Sequence, residues 1–209
     1  MRWFPLTKSA IVGSGGHTVS SINLLLNYFD SGDFCIYDNS FVEGKQEIIN
    51  SIPLIGSIDD IELDQDVFLS IGDSNLREKY FLKFKNQIIR NTIFHSDSLQ
   101  EKDIKYGVAN QIFAHSYINS QVIIGDNNII NTGAIIEHEA IVGNHNHISI
   151  GAKICGRSTI GNKCLIGAGS VIVDKLSICD NVIIGAGAVV IRDINDAGTY
   201  VGNPAKRVK

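Results

Sequence analysis

The stretch of sequence that decides the fold is IIGDNNIINTGAIIEHEAIVGNHNHISIGAKI, residues 123–154. Isoleucine or valine recurs there at every sixth position, and the same register continues without a break from Ile112 to Val190. A period of six residues keeps the two-residue alternation of a strand in phase, whereas it does not match the turn of about 3.6 residues of an α-helix. Small residues such as Ala134 and Ala140 follow four places after the aliphatic ones and face the same way. The pattern therefore predicts a parallel β-helix.

Glycine, asparagine and aspartate fall between the aliphatic positions, as expected for a chain that bends once in every six residues. The chain has 20 glycines against 3 prolines, and most of the glycines follow residue 124. Successive coils would stack at a strand spacing of about 4.8 Å and bury a continuous column of isoleucine. We therefore expect residues 96–209 to form this β-helix domain together with a C-terminal tail.

The residues before the repeat have a different pattern, in which apolar runs alternate with helix-like segments. SAIV (9–12), FCIYD (34–38), DVFLSIG (66–72) and NQIIRNTIF (86–94) have the composition of buried strands. Helical spacing of apolar residues occurs from Thr18 to Tyr28 and in NLREKYFLKF (75–84). Alternating strands and helices predict a small Rossmann-like parallel sheet in residues 1–95.

A glycine-rich loop, Gly13-Ser14-Gly15-Gly16-His17, follows the first of these strands and precedes the first helix. Backbone N–H groups in such a loop bind phosphate at the N-terminus of the helix. The dinucleotide fingerprint is incomplete because Thr18 stands where the third glycine is expected. The loop therefore predicts a nucleotide site, and an ordinary tight turn remains the alternative.

Two further residues lie where the next strands of this sheet end. Asp38 closes the second predicted strand and Gly72 the third. Ligands of open parallel sheets bind in the crevice outside the carboxyl ends of the strands. We expect Asp38 to accept hydrogen bonds from a ribose or base, with a turn aspartate as the equal alternative.

Composition excludes several classes of function. The formal net charge of −4 gives no reason to expect nucleic acid or an anionic membrane as a partner. No apolar run approaches the roughly 18 residues of a membrane span, and MRWFPLTKSAIVG (1–13) does not read as a secretory signal. The four cysteines, Cys35, Cys155, Cys164 and Cys179, form no CxxC pair, which indicates reduced thiols and a cytoplasmic location.

Three motifs resemble those of the hexapeptide-repeat acyltransferases: GSGGH (13–17), IIEHEAIVGNHNHISIGAKICG (135–156) and the ending VGNPAKRV (201–208). Within that superfamily the chain is similar, over nearly its whole length, to bacterial N-acetyltransferases of nucleotide-linked 4-amino-4,6-dideoxy sugars. Sialic acid O-acetyltransferases are close relatives. The resemblance implies a left-handed β-helix with 18 residues per coil, acetyl-CoA as co-substrate, and a homotrimer with its sites between neighbouring subunits.

The resemblance also implies roles for residues of the EHE element. His138 would be the general base, and Glu139 would orient its imidazole, which requires a bend between the two residues because neighbours on a flat strand face opposite sides. Glu137 is the competing partner. With 18 residues per coil, Gly156 stacks directly on His138, so its N–H would donate to the oxyanion. A simple glycine bend is the alternative.

Other residues are assigned to ligands by the same resemblance. His147 corresponds to a histidine on the acetyl-CoA side of the site, Asn131 to a sugar-contacting asparagine, and Lys206 and Arg207 to residues that meet the phosphates of coenzyme A. His145 has no counterpart and reads as a solvated turn residue. The histidines lack a spacing typical of a metal site, and the expected chemistry requires no metal.

The sequence thus predicts an enzyme that acetylates the C4 amine of a UDP- or dTDP-linked sugar for surface polysaccharide or glycan synthesis. Two alternatives remain open. A sialic acid O-acetyltransferase would use the same histidine with a hydroxyl nucleophile, but it would leave the loop at residues 13–17 without a task. A catalytically silent β-helix would act only as a binding scaffold.

Overall fold

The computed structural model of the chain describes residues 8–209, so residues 1–7 of the predicted first domain lie outside the described residues. The chain divides into two compact units, residues 1–90 and 91–209. The division falls shortly before the boundary expected at residue 95, because Ile93–Phe94 pairs with Gln111–Ile112 of the β-helix.

The first unit is a five-stranded sheet with two helices. Its elements are β1 (Ser9–Val12), α1 (Gly16–Leu25), β2 (Phe34–Tyr37), β3 (Glu47–Ile49), β4 (Ile52–Gly56), β5 (Val67–Leu69) and α2 (Ser74–Lys83), with short 3₁₀ turns at Ser31–Asp33 and Ile58–Asp60. The strand order is β3-β4-β2-β1-β5. All neighbours are parallel except β3 and β4, which form an antiparallel hairpin.

Burial explains why β1 and β2 are apolar at every position except Ser9. Each residue of both strands is buried, as expected for central strands that are covered on both faces. The hairpin of β3 and β4 was not expected from the sequence. The predicted fourth strand is divided: Ile88 forms a single bridge with Val67, and Ile93–Phe94 belongs to the β-helix.

The second unit is the predicted β-helix, and this part of the fold prediction is confirmed: it is a left-handed parallel β-helix. Its strands are β6 (Ile93–Phe94), β7 (Leu99–Gln100), β8 (Lys105–Tyr106), β9 (Gln111–Ile112), β10 (Tyr117–Ile118), β11 (Ile123–Ile124), β12 (Ile129–Ile130), β13 (Ile135–Ile136), β14 (Ile141–Val142), β15 (His147–Ile148), β16 (Lys153–Ile154), β17 (Thr159–Ile160), β18 (Leu165–Ile166), β19 (Val171–Ile172), β20 (Ser177–Ile178), β21 (Val182–Ile184), β22 (Val189–Val190), β23 (Gly198–Val201) and β24 (Lys206–Arg207).

These strands form three sheets, which are the faces of the β-helix. The first face contains β7, β10, β13, β16, β19 and β22, and the second contains β8, β11, β14, β17 and β20. The third face contains β6, β9, β12, β15, β18, β21, β23 and β24. Residue pairs such as Ile118 and Ile136 are in register, so one coil contains 18 residues.

Two kinds of residue make the coils stack so closely. The aliphatic residues of the six-residue period point inward and are almost fully buried. Asn110, Asn128 and Asn146 form a buried ladder, in which each side-chain oxygen accepts the N–H of the residue one coil further on. Glycine is required beside some corners: a Cβ on Gly143 would lie 2.7 Å from the carbonyl oxygen of Gly161.

Candidate active site

His138 lies at the corner between the first and second faces, after β13 and before β14. Its Nδ1 is 3.0 Å from Oε2 of Glu139, and both side chains are about half exposed. Glu139 has a φ of +60°, which is the left-handed bend that this pairing requires. Oε2 of Glu137 instead accepts a hydrogen bond of 2.6 Å from Asn119. Glu139 therefore orients the imidazole in this structure.

This pairing determines what the ring can do. A neutral histidine that donates its Nδ1–H to a carboxylate keeps a lone pair on Nε2. A carboxylate in this position also stabilises the imidazolium that forms when Nε2 takes up a proton. The His138–Glu139 pair thus has the arrangement of a general base with its orienting acid.

Gly156 lies one coil further along and faces the ring of His138. A Cβ built on Gly156 would be 2.7 Å from both Cε1 and Nε2 of the imidazole. The carbonyl of Gly156 accepts the Lys175 N–H at 2.9 Å, and the neighbouring Arg157 N–H donates to the His138 carbonyl at 2.9 Å. Within residues 8–209 the N–H of Gly156 itself has no hydrogen-bond partner. A donor that faces the base in this way is suited to binding an oxyanion.

Asn131 and His147 lie elsewhere on the β-helix. Asn131 follows β12 at the corner between the third and first faces, and His147 opens β15 on the third face. Nδ2 of Asn131 is 3.1 Å from Nε2 of His147, so the two predicted ligand contacts form one pair. His138 is at a different corner. The two corners are separated by a face several residues long, at about 3.3 Å per residue, which is far longer than a hydrogen bond. A single β-helix therefore does not bring this pair to His138.

The remaining β-helix candidates have structural contacts of their own. His145 occupies the expected turn, with a φ of +59°, and its Nδ1 is 2.8 Å from Nδ2 of Asn127. Nη2 of Arg207 donates to the carbonyl of Ala197 at 2.8 Å, so its guanidinium helps to hold the C-terminal tail. Lys206, its neighbour in β24, is exposed.

In the first unit, the glycine-rich loop has two parts with different roles. Gly13 has a φ of +112°, and a Cβ there would lie 3.1 Å from the Ser70 hydroxyl oxygen. The buried hydroxyl of Thr18 donates to the Gly13 carbonyl at 3.0 Å, which ties the loop to the sheet. Gly15 and Gly16 are exposed, and a Cβ on either would meet nothing within 4 Å.

Helix α1 begins at Gly16 without a side-chain cap and without an acidic residue in its first turn. The side chain of His17, the next residue, is partly buried. Backbone N–H groups and the positive end of the helix dipole at such a terminus favour an anion. The exposed part of the loop is therefore open to a phosphate group.

Asp38 shapes this loop from the end of β2. Its Oδ2 accepts the Ser14 N–H at 2.9 Å, and its Oδ1 accepts the Ser40 N–H at 2.8 Å. Burial alone would raise the pKa of Asp38, but the hydrogen bonds from Ser40 and Ser14 outweigh it and lower the pKa. Both carboxylate oxygens thus already accept a backbone N–H, and any hydrogen bond from a ligand would be an additional one.

Sequence reasoning missed Arg77, which is fully buried in α2. Its Nη1 donates to the carbonyls of Ile71 and Gly72, at 3.0 Å each, and so fixes the segment that follows β5. Burial lowers the pKa of Arg77 to about 10, although the carboxylate of Asp73 opposes the shift. The only signal in the sequence was a charged residue at a helical position that faces the sheet.

Comparison with known proteins agrees with this architecture. Residues 157–192 match the family "Bacterial transferase hexapeptide (six repeats)". A search of curated protein sequences finds no significant match. Among solved structures, the chain is similar to the acetyltransferase domain of PglB from Neisseria gonorrhoeae in complex with acetyl coenzyme A, with 26% identity, 96% of this chain and 98% of that chain covered, and a TM-score of 0.85.

PerB from Caulobacter crescentus, solved in complex with CoA and GDP-perosamine, is similar at 26% identity, with 98% of this chain and 99% of that chain covered and a TM-score of 0.86. WeeI from Acinetobacter baumannii shares the fold at 23% identity, with 97% of this chain and all of that chain covered and a TM-score of 0.83. The resemblance noted in the sequence is thus confirmed to this extent: residues 157–192 match the hexapeptide-repeat family, and solved structures similar to the chain include sugar N-acetyltransferases.

Two negative findings complete the description. Over residues 8–209, no group of three or more His, Cys, Asp or Glu side chains is arranged to hold a metal ion. Neither α1 nor α2, the helices of the described part of the chain, is long and apolar enough to cross a membrane.

Proposed function

We propose that the protein is an acetyl-CoA-dependent N-acetyltransferase that acetylates the C4 amine of a nucleotide-linked 4-amino-4,6-dideoxy sugar. The observation that carries the proposal is the His138–Glu139 pair, which faces the unpaired N–H of Gly156 one coil away. The similarity to PerB, which was solved with CoA and GDP-perosamine, supports the choice of both substrates.

In the proposed mechanism, each step of the transfer has its own group. The acceptor nitrogen attacks the thioester carbonyl, and Nε2 of His138 takes a proton from that nitrogen. Glu139 holds the imidazolium through Nδ1, and the N–H of Gly156 donates to the oxygen that becomes negative. Collapse of the tetrahedral intermediate breaks the C–S bond, and the departing thiolate of coenzyme A receives the proton from His138.

The first unit would hold the nucleotide in this scheme. The diphosphate would bind at the start of α1, where Gly15 and Gly16 leave the backbone exposed. A free sialic acid has no phosphate for this loop, which is why the nucleotide-linked amine is favoured over the O-acetyltransferase alternative. The nucleotide can be UDP, dTDP or GDP, and the assay of thiol release distinguishes these three.

The separation of the β-helix residues supports a homotrimer. Because Asn131 and His147 lie away from His138 on one β-helix, a site that uses all three needs a second copy of the chain. The second face also exposes Ile123 and Ile141, each 41% accessible, side by side on β11 and β14. Packing of apolar residues such as these between subunits would assemble the site. The cytoplasmic location expected from the cysteine pattern is part of the same proposal.

The deciding experiment measures thiol release from acetyl-CoA with UDP-, dTDP- and GDP-linked 4-amino-4,6-dideoxy sugars, and with free sialic acid. We expect turnover with one nucleotide-linked amine, and a fall in kcat of about 10²–10⁴ for His138→Ala, as is typical for loss of a general base. Turnover on sialic acid alone would overturn the proposal in favour of O-acetylation. A fully active His138→Ala variant would remove His138 from its role.

A further inference from the structure

Gly156 has a second neighbour on the side away from the imidazole, the carboxylate of Asp174. The Cβ position of Gly156 is 2.7 Å from Nε2 of His138 and 3.1 Å from Oδ1 of Asp174. Ser120, His138, Gly156 and Asp174 occupy the same corner position in successive coils, 18 residues apart. Since Gly156 has no side chain, only the space above its Cα separates the base from the carboxylate.

The neighbours of Asp174 hold its carboxylate in this position. Nη2 of Arg157 lies 3.3 Å from Oδ1 and 3.2 Å from Oδ2, and Nζ of Lys175 lies 3.8 Å from Oδ2. Both cations are largely solvated, with 45% and 64% of their side chains exposed, so water screens much of their charge. Oδ1 accepts one hydrogen bond from Arg157 and can accept another, because a carboxylate oxygen accepts two hydrogen bonds.

Other charged and titratable groups of both signs surround this corner. Cys155 precedes Gly156, and burial, together with the carboxylates of Asp174 and Glu137, raises the pKa of its thiol. Glu139 is bound to His138 on the opposite side of the ring. Arg192 occupies the equivalent position one coil beyond Asp174 and is exposed. A cationic acceptor would therefore have a carboxylate near each side of the imidazole, Glu139 on one side and Asp174, which is shared with Arg157 and Lys175, on the other.

We infer that Asp174 determines the preference of this site for an amine, because its carboxylate binds the acceptor nitrogen in its ammonium form beside Nε2 of His138. The inference rests on the proposed function and concerns the choice between an amine and a hydroxyl. A primary amine with nearby electron-withdrawing groups titrates at about pH 8, like an α-amino group, so it is mainly cationic at neutral pH. A hydroxyl has no charge to offer a carboxylate, whereas an ammonium group forms a charge-assisted hydrogen bond with it.

The chemistry stays balanced with Asp174 in this role. The ammonium releases one proton to water before the attack, since its free amine is the nucleophile. His138 takes the second proton as the C–N bond forms, and that proton leaves with the thiol of coenzyme A. Asp174 is thus a specificity residue that binds the acceptor, and His138 remains the base.

The test compares Asp174→Asn with the wild type in the thiol-release assay, over a pH range from 6.5 to 9.5. We expect the KM of the amino sugar to rise about tenfold at pH 6.5, the typical worth of a charge-assisted hydrogen bond, and to approach the wild-type value at pH 9.5, where the amine is neutral. The KM of acetyl-CoA should not change. The affinity for the matching 4-hydroxy nucleotide sugar, measured as an inhibitor, should also be the same in both proteins.

Arg157→Gln separates this role from a structural ion pair. It frees the carboxylate of Asp174, so we expect the KM of the amine to fall or stay the same. If the two residues matter only as partners of each other, both variants should raise the KM alike and at every pH. Asp196→Asn is the matched control, because Asp196 is exposed and lies several coils beyond His138.

The outcomes for the two proposals are distinct. An active wild-type enzyme whose Asp174→Asn variant has an unchanged or pH-independent KM would overturn this inference alone. A wild-type protein that turns over hydroxyl acceptors and no amine would overturn the proposed function and this inference with it. Asp174→Glu keeps the charge, so it should retain the wild-type pH dependence. Loss of that dependence in the Glu variant also counts against the inference.

Discussion

Gly156→Ala is the sharpest test of how the base is positioned. Gly156 does not have a positive φ, so alanine suits the backbone there. The new methyl group would nevertheless lie 2.7 Å from Cε1 and Nε2 of His138, where ordinary contacts begin at 3.4 Å. The ring would have to move by about 0.7 Å, and a displacement of that order at a reacting group costs about 10² in rate.

The displacement also strains the 3.0 Å hydrogen bond between His138 and Glu139, so we expect kcat to fall by about 10². The methyl group would also lie 3.1 Å from Oδ1 of Asp174, in the space inferred above to hold the acceptor nitrogen, so the KM of the nucleotide sugar should rise as well. Steady-state thiol release measures both constants, and thermal unfolding reports on the fold. Gly32→Ala is the matched control, because a Cβ on Gly32 meets nothing within 4 Å.

A Gly156→Ala enzyme with the same Tm as the wild type and a kcat within about twofold of it would refute the reasoning. The methyl group would then fit without moving the imidazole, and His138 could not occupy the position from which it is argued to act. A large loss of Tm would instead indicate that the coil had been disturbed, and that outcome would contradict the expectation that alanine suits this backbone.

Three further predictions concern other parts of the molecule. Gly15→Val places a side chain in the open space at the start of α1 where the diphosphate is proposed to bind. Titration calorimetry should therefore give weaker binding of the nucleotide sugar and unchanged binding of acetyl-CoA. Equal loss of both would make the loop purely structural. The pKa of Asp38 is lowered from 3.8, so its carboxylate contributes stability that is present above pH 3.8 and is lost as the pH falls through the lower folded pKa. Asp38→Asn should therefore be less stable than the wild type at pH 7, and the difference in stability should shrink in acid. A difference in Tm that does not change with pH would exclude this linkage. Asn128→Ala leaves the buried N–H of Asn146 without its acceptor and should lower the free energy of unfolding, measured in urea, by about 1–3 kcal/mol. Asn119→Ala, in the same β-helix but partly solvated, is the control. An equal loss of stability in the two variants would show that the buried asparagine ladder has no special role.

Contacts of the candidate site that follow from the regular stacking of coils are easier to predict from the sequence than contacts that depend on a single side chain. The stacking of Gly156 on His138 could be predicted once the family resemblance supplied a coil length of 18 residues, because that length applies equally to every residue of the β-helix. The choice of Glu139 over Glu137 could not, because it depends on the sign of one φ angle at a corner. The contact of Asn131 with His147 was also not predicted, although each residue had been singled out separately.

The first unit was less predictable than the second. Its strands β1, β2 and β5 could be recognised as mainly apolar runs, and every residue of the three is buried. The hairpin of β3 and β4 was missed because its residues alternate between buried and exposed over a very short length. Arg77 was missed because its burial depends on carbonyl groups supplied by the segment after β5.

The six-residue period alone was enough to predict that residues 112–190 wind into a β-helix, because a strict period imposes the same register on every coil. That Gly156 stacks on His138 followed only when the coil length of 18 residues was added from the family resemblance. The tertiary structure was needed to show that Glu139 holds the imidazole, that Oδ2 of Asp38 binds the glycine-rich loop, and that Asp174 and His138 both lie beside Gly156. These contacts depend on the direction of single side chains at corners and loop ends, and that direction follows from backbone angles and neighbours that no periodic pattern records.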